Sequence, residues 1–126
     1  MRTRILPVLC VSLGVVALAD AARAAGLPQR VGQCVQTRVK EVETRLENTP
    51  GSGSAISFEN GGYQVSYDQV RAVDRSRPGD PVTMCLVSIP KGCPPGDDRG
   101  REYRSTNKRT GLSWTLPDSE HMCGGA

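Results

Sequence analysis

Asp118, Ser119, Glu120, His121 and Met122 are consecutive near the C-terminus and concentrate the side chains with most chemical potential. The His121 imidazole, Met122 thioether and Asp118 carboxylate, with Met84 brought alongside by folding, are ligand types for copper or zinc. His121 is the single histidine of the chain, and one imidazole among acidic neighbours on a polar tail is ordinarily just hydrated. Asp118, Ser119 and His121 are also the residue types of a hydrolase triad. Near-adjacent tail residues do not align nucleophile, base and orienter, and no oxyanion loop accompanies them. No residue is therefore assigned a catalytic role.

A second cluster is basic. Arg99, Arg101, Arg104, Lys108 and Arg109 surround Tyr103. Such a set suits an anionic glycan, a lipid headgroup or an acidic partner protein. The plainer reading is an edge hairpin whose charges discourage strand addition, with Asp97 and Asp98 neutralising part of it. No Gly-rich phosphate loop is present, so no cofactor is expected.

The segments around these residues point to an exported chain. Arg2 and Arg4 precede a mostly apolar stretch, Ile5 to Ala19, followed by Ala-x-Ala steps up to Ala24. This is the pattern of a cleaved signal peptide, here assigned to residues 1–25, with residues 26–126 as a single domain. The apolar run is shorter than the ~20 residues that span a bilayer, so no membrane span is expected after cleavage. Loss of Arg2, Arg4, Arg23 and Asp20 lowers the formal charge from +3 to about +1, too little to favour nucleic acid. Cys10 leaves as well. Cys34, Cys85, Cys93 and Cys123 remain, and an even count in a short exported chain reads as two disulfides. A zinc site is the rival reading, but no CxxC spacing exists. Three pairings are open; joining the termini through Cys34 and Cys123, with Cys85 closing a short loop to Cys93, is attractive.

The fold expected is mainly β, a small antiparallel barrel or sandwich of the OB or SH3-like kind. One Phe and one Trp leave only a thin core, and 14 Gly and 9 Pro favour turns. Asn60-Gly61 predicts a type I′ hairpin in which Phe58 faces Tyr63, Ile56 faces Val65 and Ser54 faces Tyr67, leaving Gln64 on the polar face. Val82 to Ile89, apolar on both faces, reads as a central buried strand in which Cys85 anchors a bridge to the core. A second hairpin turns around Lys108 to Gly111 and places Tyr103 and Trp114 on one face. Arg99 and Arg101 would share that face on an extended strand. Residues 33–47 carry both a helical period, with Glu41 and Arg45 at i,i+4, and a strand pattern with one bulge between Val39 and Val42. The strand is preferred; a helix at 33–47 in an α+β fold is the alternative.

Four segments together carry a resemblance: Ser76-Arg77-Pro78-Gly79-Asp80-Pro81-Val82, Cys85 to Pro90, Cys93 to Arg101, and Asp118 to Ala126. They resemble a group of small exported proteins of Gram-negative bacteria with four cysteines and a CGGA terminus. The resemblance implies a periplasmic or secreted location and carries over no activity and no functional residue. The sequence thus leads to a non-catalytic binding module for a protein or envelope component. The alternatives are metal handling through His121 and inhibition of an extracellular hydrolase.

Overall fold

The computed structural model describes residues 26–125; the expected leader lies outside the described residues. The described residues form six strands and one helical turn: β1 (Cys34–Thr44), β2 (Ser54–Phe58), β3 (Tyr63–Val65), α1 (Arg71–Asp74), β4 (Pro81–Ser88), β5 (Glu102–Asn107) and β6 (Ser113–Pro117). They form one antiparallel sheet in the order β3-β2-β1-β4-β5-β6, curled into a half-barrel that brings its outer strands β3 and β6 into contact. The expected β class is therefore present as a curled single sheet rather than a sandwich.

Strand β1 makes the curl possible. Its first half pairs with β4, from Cys34 opposite Cys85 to Arg38 opposite Pro81. Its second half pairs with β2, and the register skips Lys40, so that Val39 faces Phe58 and Val42 faces Ile56. One extra residue bends the strand and returns both valines to the concave side. The helix considered for residues 33–47 does not form. Its helical spacing is the spacing of a strand with one residue inserted.

The concave core contains Val39, Ile56, Phe58, Val73, Val82, Met84, Leu86, Tyr103 and Trp114. Leu27 packs against it and Pro28 is fully buried beside it. The short helix α1, which no strong periodicity in the sequence announces, contributes Val73 to the core. Strand β4 is central but buries one face only: Val82, Met84 and Leu86 point in, while Val87 is 42% exposed. Cys85 consequently sits on the outer side, and its bridge does not enter the core. The bridges are Cys34–Cys85 and Cys93–Cys123. The attractive tie between termini is not made, because strand register sets Cys34 directly across from Cys85.

The first hairpin forms one residue out of the expected register. Phe58 N–H donates to Gly62 O at 2.9 Å, and Gly61, at φ 84°, completes a three-residue loop in place of a two-residue turn. Ser57 now faces Tyr63 and Ile56 faces Gln64. A single-residue slip exchanges the faces of a strand. Gln64 therefore points into the concavity, fully buried, and Tyr63 turns outward.

There Gln64 meets the far end of the sheet. Its Nε2 donates to Tyr103 O at 2.7 Å and Leu116 O at 3.0 Å, and its Oε1 accepts from Ser105 Oγ at 2.6 Å and Trp114 Nε1 at 2.8 Å. Two donors and two acceptor sites are all used. The second hairpin supplies these partners as expected, with Ser105 opposite Trp114 and Tyr103 opposite Leu116. Replacing Gln64 by Leu should lower unfolding free energy by about 2–4 kcal/mol, because several buried polar groups lose their partner at once. Urea denaturation provides the measurement; unchanged stability would mean that the clamp is absent in solution.

Candidate functional site

Two polar knots use much of the charge that the sequence displays. In the first, the turn 76–81 delivers Asp80 beneath the β5–β6 loop, where it is 5% exposed. Its carboxylate accepts from Arg109 Nε at 2.6 Å, Asn107 Nδ2 at 2.8 Å and Arg77 N at 2.8 Å. Arg109 also donates to Arg75 O. These donors, Arg109 first, hold the Asp80 pKa down at about 2 against the opposing effect of burial.

The second knot joins the 93–101 loop to the C-terminal tail. Arg99 grips Asp97 through two parallel hydrogen bonds of 2.9 Å and reaches Gly125 O. Asp97 also accepts from Gly124 N, and Cys93–Cys123 fastens the same junction covalently. Arg99 holds the Asp97 carboxyl well below the usual carboxylate range, with the Gly124 N–H adding to it. Next to it, Gly100 donates to Asp118 Oδ1 at 2.8 Å while lying against Met122. Gly100 has φ 100°, and a Cβ there would stand 2.9 Å from the Met122 sulfur, so the junction needs glycine.

The six basic and aromatic candidates are thus dispersed. Arg99 belongs to the tail knot and Arg109 to the Asp80 knot. Tyr103 is buried in the core, 3% exposed, and Arg101 is half-buried with its Nε enclosed and without a hydrogen-bond partner. β5 begins at Glu102, so Arg99 and Arg101 do not share a strand face with Tyr103. Of the six, Arg104 and Lys108 alone are both exposed and clear of the two knots; Arg104 lies on the outer side, opposite Cys85 and Thr115. Of the tail candidates, His121 and Met122 are both exposed, His121 with its backbone N–H donating to Ser119 Oγ and Met122 lying against Gly100, while Asp118 accepts from the Gly100 N–H. Among the described residues, no three or more of His, Cys, Asp and Glu are grouped to hold a metal ion. No helix among them is long and apolar enough to cross a membrane.

A cleft lies elsewhere among the described residues, where the sequence offered no motif. An open cleft of about 1030 Å³ is bounded by Val42 to Arg45, the β1–β2 loop, Tyr63, Gln69 and Asp74. Its loop is braced by its own hydrogen bonds: Arg45 N donates to Gly53 O, Leu46 N to Ser52 Oγ and Thr49 N to Leu46 O. Arg45 forms one wall. Its Nε donates to Ser52 O at 2.7 Å, its Nη1 meets Glu120 Oε1 at 2.7 Å, and its guanidinium lies 4.4 Å from the Tyr67 ring centre. Arg45 thus pairs with the tail and not, as the i,i+4 spacing suggested, with Glu41. Burial raises the Tyr63 pKa, and the Glu120 and Glu43 carboxylates add to it. The only sequence signal for this wall was an arginine in an otherwise acidic stretch.

No family model, curated protein or solved structure matches the chain.

The Asp80 knot has a pH signature. A carboxyl depressed from 3.8 to about 2 adds stability that is complete above about pH 4 and disappears as the pH falls through about 2. Replacing Asp80 by Asn should cost about 2 kcal/mol at neutral pH. It should also flatten the loss of stability between pH 4 and 2, as followed by urea melts. An equally steep acid loss in that variant would place the titration on another group.

Proposed function

We propose that the chain is an exported, non-catalytic binding module that engages a protein or envelope component in the periplasm or secreted fraction. The observation that supports this reading best is the cleft beside β1 and β3. It is open, walled by a loop fixed through its own hydrogen bonds, and bordered by the outward-facing Tyr63 and by Arg45, which lies against the exposed Tyr67. A surface already held in one shape loses little entropy when a partner docks. Two disulfides suit an oxidising compartment and add about 2–4 kcal/mol each by restricting the unfolded chain. Asp80, Asp97, Arg99 and Arg109 are occupied with holding loops, so recognition of a partner falls to the shape of the cleft and to other exposed groups around it.

Photo-crosslinking in the cells that make the protein tests the reading. A crosslinkable residue in place of Asn48, on the cleft rim, should give one discrete adduct in the periplasmic fraction, and the same group in place of Thr115 should give none. Retention in the cytosol with four free thiols, or no adduct from any exposed position, would refute it. Stoichiometric copper or zinc, lost on His121→Ala, would instead favour metal handling.

A further inference from the structure

The two outer strands of the curled sheet are joined by two devices. One is the buried Gln64 amide. The other is the tail after β6, which starts at the β6 edge, where Asp118 N donates to Arg101 O. It then reaches the opposite side of the sheet. There Glu120 pairs with Arg45, and its carbonyl accepts from the Tyr67 hydroxyl at 3.5 Å. The far end of the tail is tied to the 93–101 loop by Cys93–Cys123, Cys123 N to Arg99 O and Gly124 N to Asp97.

We propose that residues 118–125 are a redox-sensitive strap: opening the Cys93–Cys123 bridge releases the tail, frees Arg45 from Glu120 and loosens the seam between β3 and β6. The two disulfides differ in what holds their cysteines together. Cys34 and Cys85 are direct partners in a ladder running from Cys34 to Arg38, so their sulfurs stay adjacent after reduction and the bridge re-forms readily. Cys93 and Cys123 lie on a loop and a tail outside any strand, held otherwise by a handful of hydrogen bonds. Their thiols separate on reduction, so this bridge gives way first to a dithiol.

The step is a two-electron exchange. A thiolate of the dithiol attacks one sulfur of the bridge, forming a mixed disulfide and expelling the other cysteine as thiolate. The second thiol of the reductant then attacks the mixed disulfide, leaving two reduced cysteines and an oxidised, cyclic reductant. Protons pass to the released thiolates from solvent.

Two measurements on the full chain test this. In a titration with dithiothreitol followed by thiol alkylation and peptide mapping, Cys93 and Cys123 should become alkylated at lower reductant than Cys34 and Cys85. Simultaneous opening, or the reverse order, would overturn the proposal. In the double variant Cys93→Ser, Cys123→Ser, with the other bridge intact, hydrogen exchange should speed up tenfold or more at the amides of positions 123 and 124. It should also rise at the Trp114 indole, with no change along β1 and β4. Unchanged exchange at positions 123 and 124 would show that hydrogen bonds alone hold the tail. Faster tail exchange with an unaffected Trp114 indole would sever the strap from the seam. Either result contradicts the proposal and leaves the partner-binding reading intact, since the cleft rim at Asn48 is probed separately.

Discussion

A six-stranded sheet that curls without closing has two edges to satisfy, and here one side chain joins them. Gln64 stands on the three-residue strand β3, at one end of the strand order, and bonds to Tyr103, Ser105, Trp114 and Leu116 on the two strands at the other end. Burying a primary amide costs several kcal/mol unless its hydrogen bonds are replaced. Every one of them is replaced here, so the clamp is favourable only in the closed arrangement. That dependence selects the curled sheet over a flatter one whose edge strands stay open to other chains. The indole of the single Trp is oriented by the same amide, which ties the largest core side chain to the seam.

The remaining polar segments fasten loops onto this frame. Asp80 binds the turn before β4 to the loop after β5, and Asp97 binds the loop after β4 to the tail. A thin apolar interior leaves much of the chain in connections, and each long connection is secured by a carboxylate, a disulfide or both. The segments that stand out in the sequence, 76–82, 93–101 and 118–125, fall largely on these junctions, where their spacing follows from geometry. The cleft is then bordered by fixed loops.

Much of the architecture was legible in the sequence. The six strands, the bulge between Val39 and Val42 and the common face of Tyr103 and Trp114 follow from period-two patterning and turn residues. The first hairpin shows where such reasoning stops. Asn60-Gly61 fits a two-residue turn, but Gly61 with positive φ serves a three-residue loop equally well, and the two differ by one residue of register. Apolar patterning favoured putting Tyr63 and Val65 inward; hydrogen bonds from the far end of the sheet reward Gln64 instead, and those partners lie some 40 to 50 positions away. Disulfide pairing was hidden for a similar reason, since only the β1–β4 register brings Cys34 to Cys85. The basic cluster divides between near and distant partners: Arg99 takes Asp97 two residues away, a pairing visible in the sequence, whereas Asp80 takes Arg109 from 29 residues away. Of the cleft, only its strands were legible, because its wall depends on a contact between Arg45 and Glu120 across 75 residues.

The clamp can be observed directly by NMR on the oxidised protein labelled with nitrogen-15. The Gln64 side-chain amide protons should exchange slowly with water and show nuclear Overhauser contacts to the Trp114 indole N–H and to Leu116. A Gln64 amide that exchanges at the rate of an exposed glutamine, with no contact to Trp114, would mean that the sheet is not closed in this way.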